Sequence, residues 1–346
     1  MAVKAVARED GQGRCLEINI SRAIGFSKMA SMADITCKSA LNGKPPSVTK
    51  LRGEKLIIFG WYGGKFSHLE WLLPLLPMTP YYCEPFAGSG AVLLNRPPAG
   101  VETYNDLDGE VVNFFKTLRD LPEELQRLMA LTPFSREEFA LACKLDDSLP
   151  PVERARRFYV RARQVRTGLA QTASVGRWAN CTNTIRAGMS GVVSRWLGAV
   201  EQLPDIALRL IRVQIENRPA VDCIKLYDSK DTLFYCDPPY IHATRGDSKA
   251  YAYEMTNEQH AELAEALNAA KGKVALSNYD CALMDKLYPA RHWNKLHFKK
   301  TNHSTKDIRT ETLWMNYDPA DIKPNRACFV HGFSSRKAPL WFVPRK

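Results

Sequence analysis

The tetrapeptide Asp237-Pro238-Pro239-Tyr240 directly follows an apolar segment, residues 232–236. An aspartate carboxylate and the neighbouring carbonyl of Pro238 could accept the two N–H bonds of an exocyclic base amine, which is a poor nucleophile because its lone pair is delocalised. Two prolines fix φ near −65° and remove backbone donors, so the turn presents acceptors rigidly. These residue types predict a loop that orients an exocyclic base amine for direct in-line methylation, without a covalent intermediate.

Tyr240 offers an aromatic face on which a base taken out of the duplex could stack, a contact worth roughly 1–3 kcal/mol. An ordinary Pro-Pro turn with an exposed aspartate is the structural alternative. Methylation of cytosine C5 would require a nucleophilic cysteine, and no Pro-Cys pair occurs. Cys236 should face away from the loop, because alternate residues of a strand point to opposite faces, and we interpret it as a core residue.

A second segment combines a short strand, residues 81–83, with a glycine turn that contains Gly88 and Gly90. Glycine lets the backbone approach a ligand closely and tolerates positive φ. Leu93 stands where a dinucleotide fingerprint would place a third glycine, so the pattern favours adenosine without a pyrophosphate. Asp106 ends the next strand, where an acid can bind ribose hydroxyls. An ordinary strand-to-helix turn with a capping carboxylate is the alternative.

Strand, glycine turn, helix and strand with an acid at its tip are typical of a doubly wound α/β sheet. The apolar pattern returns at 232–236, and it continues as a helix over 257–270, a strand over 274–277 and a late strand over 311–317. We predict an α/β, Rossmann-like domain with a helical insertion. The expected parts are an extension (1–50), a catalytic domain (51–119 and 230–318), a helical insertion (120–229) and a basic tail (319–346).

Arginine dominates the predicted insertion: residues 152–200 contain nine arginines, no lysine and one acid, Glu153. The planar guanidinium binds phosphate oxygens and guanine edges with two bonds at once. The whole chain carries a net charge of +11, which also favours a polyanionic partner. The stretch 172–191 could form a loop that enters a groove. We predict DNA contacts at Arg154, Arg157, Arg161, Arg163, Arg166 and Arg177.

No apolar run reaches the roughly 20 residues that span a bilayer, and the first residues lack a secretory signal. The nine cysteines show no Cys-x-x-Cys pair with zinc spacing, which favours free thiols and no metal. We therefore expect a cytoplasmic, nucleoid-associated monomer.

With these motifs in order, the chain resembles the D12-class, Dam-like, adenine-specific DNA methyltransferases between about 59 and 317. Trp61 to Lys65 resembles the family's Trp-x-Gly-Gly-Lys signature, and Glu84 to Gly90 its Glu-Pro-Phe-x-Gly-x-Gly. Asn105-Asp106 and Asp237 to Tyr240 are similar to its ribose-binding acid and its catalytic loop. The resemblance implies S-adenosylmethionine as cofactor, held by Trp61, Gly63, Gly64, Lys65, Glu84, Pro85, Phe86, Gly88, Gly90, Asn105, Asp106 and Asp237.

Double-stranded DNA is the implied partner, and a separately acting restriction endonuclease is a further candidate. Lys65 is chemically suited to the cofactor's carboxylate. Methylation of the cytosine N4 amine, methylation of RNA adenine, and a catalytically silent DNA-binding protein remain alternatives. The sequence between 120 and 229 indicates no particular target sequence.

Overall fold

The structure is a computed structural model that describes residues 55–168, 170, 173–242, 253–301 and 308–322, with the side chains of all but 299–301 and 308–310. The predicted extension (1–50) and residues 323–346 of the predicted tail lie outside the described residues.

Seven strands form one mixed sheet in the order β5-β2-β1-β6-β7-β9-β8. The first five run parallel, whereas β9 pairs antiparallel with both β7 and β8. A separate two-stranded hairpin consists of β3 and β4. The strands are β1 (Tyr81–Glu84), β2 (Val101–Asn105), β3 (Ile185–Arg186), β4 (Met189–Ser190), β5 (Val213–Glu216), β6 (Thr232–Cys236), β7 (Lys273–Tyr279), β8 (Asn294–Thr301) and β9 (Ile308–Met315).

Helices cover the sheet and fill the connection between β2 and β5. They are α1 (Leu69–Leu72), α2 (Ala91–Asn95), α3 (Gly109–Asp120), α4 (Pro122–Leu131), α5 (Arg136–Ala142), α6 (Pro151–Gln164), α7 (Gly191–Glu201), α8 (Leu203–Leu210), α9 (Ala220–Tyr227), α10 (Asn257–Ala269) and α11 (Ala282–Leu287). Among the described residues, none of these helices has the length and apolarity needed to cross a bilayer.

The central strand β6 is buried along its whole length, as expected for a parallel strand covered on both faces. Its alternate residues enter two different cores: Tyr235 packs with Tyr82 on one face, and Cys236 packs with Cys83 on the other. The sequence therefore correctly indicated Cys236 as a core residue. The fold class predicted from the order of the motifs is confirmed.

Part of the predicted insertion (120–229) belongs to the sheet, because Val213–Glu216 form its edge strand β5. Strand β5 pairs in parallel with β2, with Glu102 opposite Val213, and α9 then leads into β6. The four residues of β5 are too few to show an alternating pattern, which explains why this edge strand was missed. The helical insertion therefore ends before residue 213, and strand β8 was also not predicted.

Within the described residues, the buried rings of the helical insertion join the core of the sheet. Phe114 of α3 stacks on Tyr159 of α6 with ring centroids 5.3 Å apart, and Trp196 of α7 packs against the same tyrosine at 5.6 Å. All three rings belong to the core that also contains Tyr82 and Tyr235 of the sheet. The insertion is thus packed firmly onto one face of the sheet.

Candidate functional site

A cleft lies at the edge of the sheet where the parallel strands β1, β2 and β6 end. β1 is the point at which the strand order reverses, and open α/β sheets bind ligands at this position. The cleft brings together residues from Trp61 to Gln259, which are 198 positions apart in the sequence. Its walls include Trp61, Tyr62, Gly64, Lys65, Glu84, Phe86, Gly88, Ser89, Asp106, Leu107, Asp108, Tyr235, Asp237, Pro239, Tyr253, Glu254, Met255 and Gln259.

The glycine turn after β1 has a conformation that requires glycine. Gly88 and Gly90 have φ values of 50° and 62°. A Cβ atom at Gly88 would lie 2.4 Å from Nε1 of Trp61, so no larger residue fits there without moving the indole. The turn is therefore built around Trp61, which forms part of the cleft wall.

Asp106 is held in place by two backbone N–H groups: Gly88 N donates to Oδ2 at 2.8 Å, and Asp108 N donates to Oδ1 at 2.9 Å. Burial raises the pKa of Asp106 to about 6, although both N–H bonds act to lower it. Asp108 in turn caps α3 by accepting a bond from Glu110 N. A helix cap thus fixes the position of the acid in the cleft.

Asn105 occupies a different position from the one predicted. Its side chain is fully buried, and its amide donates to the carbonyls of Pro85 and Arg218. It does not line the cleft, and it instead ties the end of β2 to the glycine turn. Gly63, Pro85, Gly90, Pro238 and Tyr240 do not line the cleft either, although each adjoins a residue that does.

A tight turn delivers Lys65 to the catalytic loop. Gly63 has a φ of 72°, and Gly64 N donates to the carbonyl of Trp61 at 3.0 Å. Beyond the turn, the Lys65 ammonium donates to Gly63 O at 2.8 Å and to both carboxylate oxygens of Asp237 at 2.6 and 2.8 Å. In the structure the lysine pairs with Asp237, and its binding of the cofactor's carboxylate stays a prediction.

Asp237 is a buried acid with opposing influences on its charge. Burial raises the pKa of Asp237 to about 6; Lys65 acts to lower that pKa, and Glu311 acts to raise it. Glu84, another wall residue, accepts a bond from the Tyr82 hydroxyl at 2.6 Å, and burial raises the pKa of Glu84 to about 8. Near neutral pH the ionised Asp106 and Asp237 therefore favour a positively charged ligand, whereas Glu84 is largely protonated.

Tyr240 does not present an open aromatic face. Only 4% of the residue is exposed, its hydroxyl donates to Glu311 Oε1, and its ring meets Tyr279 edge-on at 4.8 Å. A buried tyrosine normally satisfies its hydroxyl, and Glu311 supplies that acceptor here. The predicted stacking surface for a base is replaced by an anchor for the catalytic loop.

Glu311 is a site residue that the sequence analysis missed, since it read residues 311–317 only as a late strand. It lies on β9, opposite Tyr279 of β7, and its side chain is 8% exposed. The available signal was a single acid at the start of the apolar run Thr312-Leu313-Trp314-Met315. The wall residues Tyr235, Tyr253, Met255 and Gln259 carried no comparable signal.

Three of the predicted DNA-contacting arginines pair with acids inside the fold. Arg154 and Arg161 both donate to Glu110, and Arg157 donates to Glu153. Their side chains are 24%, 8% and 14% exposed, respectively. Glu153 is the single acid within 152–200, whereas Glu110 lies outside that segment, on α3. This geometry argues against direct DNA contact at these three positions.

We expect Arg161→Ala to lower the free energy of unfolding by about 2–3 kcal/mol, because Glu110 and the Ala142 carbonyl would lose a buried charged donor. Urea denaturation measures the change. Arg195→Ala is the matched control, since Arg195 is exposed on α7, and it should change stability by less than about 0.5 kcal/mol. Equal stability of the two variants would contradict a structural role for Arg161.

The other three predicted arginines lie nearer to solvent. Arg163 is half-buried, whereas Arg166 and Arg177 are exposed. Arg166 N donates to the carbonyl of Arg177 at 2.7 Å, and Val165 bridges to Trp178, so the two arginines are held side by side. The carbonyl of Gly168 lies 2.7 Å from an ideal Cβ at Gly60, which places this arginine pair next to the segment that leads to Trp61.

Comparison with known proteins identifies relatives along most of the chain. The family described as D12 class N6 adenine-specific DNA methyltransferase matches residues 61–304. A type II methyltransferase of Lactococcus lactis subsp. cremoris, M1.LlaDCHI, is 25% identical over 284 residues, 74% of this chain and 94% of the relative. A DNA adenine methylase of Salmonella typhi is 25% identical over 286 residues, 77% of this chain and 96% of the relative. A DNA N-6-adenine-methyltransferase of Escherichia phage P1 is 35% identical over 108 residues, 29% of this chain and 14% of the phage protein.

Proposed function

Because the chain belongs to the D12 class of N6 adenine-specific DNA methyltransferases, we propose that it uses S-adenosylmethionine to methylate the N6 amine of an adenine turned out of double-stranded DNA. The observation that carries this proposal is the position of Asp237, which ends β6 in the same cleft as the Gly88 turn and Asp106. A carboxylate that can orient an amine thus lies beside a pocket that suits a nucleoside.

The residues of the cleft fit this cofactor. Asp106 can accept hydrogen bonds from ribose hydroxyls, and Trp61 and Phe86 supply aromatic surface. Asp106 and Asp237 provide negative charge toward a cationic ligand, whereas the raised pKa of Glu84 keeps that carboxyl largely protonated near neutral pH. When bound, S-adenosylmethionine supplies an electrophilic methyl group on a positively charged sulfur.

Asp237 and the Pro238 carbonyl have the roles of acceptors for the two N–H bonds of the adenine amine. With its N–H bonds held in this way, the amine turns its lone pair toward the methyl carbon. The Asp237 side chain is only 17% exposed, so a base stacked in a duplex could not reach it. The base therefore has to leave the helix and enter the cleft, as in other enzymes that act on bases.

We further propose that the helical insertion carries DNA contacts through its exposed arginines. Arg166 and Arg177 lie at the base of one loop, and Arg186 lies on the β3–β4 hairpin. The hairpin turn has positive φ at both Ala187 and Gly188, a conformation that gives a compact tip. Next to Arg186, Ile185 is 82% exposed and could contact base edges.

The function is tested by incubating the protein with duplex DNA and methyl-labelled S-adenosylmethionine and identifying the labelled nucleoside. We expect N6-methyladenine, and sequencing of the methylated positions would give the recognised sequence. N4-methylcytosine as the product, or transfer to RNA in preference to DNA, would overturn the proposal. Transfer to no substrate would identify a silent homologue.

The double variant Arg166→Gln/Arg177→Gln should weaken DNA binding and reduce the slope of log K against log salt concentration by about 0.9 for each phosphate that the variant no longer neutralises. Fluorescence anisotropy with a labelled duplex at several salt concentrations measures the slope. Arg291→Gln is the matched control, because Arg291 is exposed just before β8, at the opposite edge of the sheet from the cleft. An unchanged slope in the double variant would remove these arginines from the interface.

A further inference from the structure

The ammonium group of Lys65 has more acceptors around it than hydrogens to donate. Its three hydrogens are used by Gly63 O and by the two carboxylate oxygens of Asp237. Oε1 of Glu311 lies 3.3 Å from the same nitrogen, farther than the Asp237 oxygens at 2.6 and 2.8 Å. The lysine is therefore placed between two carboxylates, one of which is the proposed acceptor for the substrate amine.

Glu311 is itself held in one orientation. Its Oε1 accepts a bond from the Tyr240 hydroxyl, and its Oε2 lies 3.8 Å from His68 Nε2. Lys65 and His68 outweigh the effect of burial and hold the pKa of Glu311 below its usual value, so this carboxylate stays charged. The backbone of β9 pairs with both neighbouring strands, so the Glu311 side chain, which anchors Tyr240, is also placed to act on Lys65.

We propose that Glu311 is a positioning residue for methyl transfer: it receives a hydrogen bond from Lys65 when the adenine amine enters, which frees an Asp237 oxygen for the amine. This inference rests on the proposed function. An ammonium bound to both carboxylate oxygens weakens them as acceptors, and an arriving amine N–H competes for the same oxygens. A small displacement of Lys65 Nζ toward Glu311 resolves that competition.

The charges of the site favour the same role. Lys65 contributes one positive charge against the two negative charges of Asp237 and Glu311. As the N–C bond forms and the C–S bond of the sulfonium breaks to leave a neutral thioether, positive charge develops on the amine nitrogen until that nitrogen loses one proton, and the excess negative charge stabilises it. Neutralising Glu311 removes that excess and leaves Lys65 bound to Asp237.

The pH dependence distinguishes this role from a merely structural one. The ionisable groups that interact electrostatically with the Asp237 carboxyl are Lys65, Glu311, Tyr240, Tyr235, Cys236 and Glu84. Activity should be lost as pH falls through the pKa of Asp237, because the protonated acid is a weaker acceptor. Since the charge of Glu311 raises that pKa, Glu311→Gln should move the loss of activity to lower pH.

The test is single-turnover methylation of a duplex with saturating S-adenosylmethionine, over a pH range from about 5 to about 9, by the full chain. Glu311→Gln should lower the rate at the plateau of the pH–rate profile about tenfold or more. It should also shift the acid limb of that profile, where the rate falls with falling pH, to lower pH. Glu311→Asp keeps the charge and should return the acid limb toward its wild-type position. Thr312→Val, the neighbouring buried residue of β9, is the matched control and should keep the wild-type rate and limb.

The proposal would be overturned if the Glu311→Gln plateau rate stayed within twofold of wild type. It would also be overturned if the acid limb of the pH–rate profile stayed in place or moved to higher pH. If that variant does not fold, a structure of the wild-type protein with S-adenosylhomocysteine and a target duplex decides. Lys65 Nζ should then lie within hydrogen-bonding distance of Glu311 and release one Asp237 oxygen, and a lysine still bound to both oxygens would refute the exchange. Absence of adenine methylation by the wild type would instead refute the proposed function.

Discussion

Asp237→Ala should reduce methyl transfer by about 10³-fold or more, because the amine loses the acceptor that orients its lone pair. The fold should survive, since Lys65 keeps the Gly63 carbonyl and has Glu311 at 3.3 Å. Binding of duplex DNA should stay within about threefold of wild type, because the proposed DNA contacts lie on the insertion. Single-turnover transfer and fluorescence anisotropy measure the two quantities.

Asp237→Asn is the informative companion, because asparagine keeps the shape and one acceptor oxygen but loses the charge. We expect a smaller loss than in the alanine variant, of about 10²-fold. Activity close to wild type in Asp237→Ala would exclude the assigned role. A parallel loss of DNA binding would mean instead that the variant disturbs the protein more widely.

Gly88→Ala should weaken the binding of S-adenosylmethionine by roughly 100-fold, which corresponds to about 2.7 kcal/mol. The new methyl group would lie 2.4 Å from Nε1 of Trp61, and the indole, which is half-exposed, would have to turn away from the cleft wall. Isothermal titration calorimetry measures the affinity directly.

The control for Gly88→Ala separates the collision from backbone strain. Gly188 has a φ of 74° and no heavy atom within 4 Å of an added Cβ, so Gly188→Ala introduces left-handed strain of about 1–2 kcal/mol without a collision. Its affinity for the cofactor should remain that of wild type. If Gly88→Ala also binds normally, Trp61 does not form part of the cofactor site.

The sequence predicted the site residues that directly follow a strand and whose residue type suggests a chemical role. Asp237, Gly88 and Asp106 each follow a short apolar strand, and because parallel strands end at the same edge, their proximity could be inferred. The fold class followed from the alternation of strands and helices along the chain. The half-buried Trp61 could be assigned only through the resemblance, since its contact with the glycine turn spans residues far apart in the chain.

The remaining features depend on contacts that no local pattern records. Arg154 and Arg161 lie 44 and 51 residues from Glu110, so their ion pairs were invisible and their charges were assigned to DNA. Glu311 is 246 residues from Lys65 and 71 from Tyr240, and only the pairing of β7 with β9 brings it to the catalytic loop. Tyr240 was read as a stacking face because its hydroxyl's partner was unknown.

The pairing of β2 with β5 means that every helix from α3 to α8, with the β3–β4 hairpin, belongs to one crossover between two adjacent parallel strands. Such a crossover needs a single helix, so its length is free to vary without altering the order of the strands. With the DNA contacts proposed above for this crossover, exchanging it between relatives should change target preference and leave the catalytic strands intact. A working chimera would have to carry Phe114 together with Tyr159 and Trp196, because these rings pack as a unit.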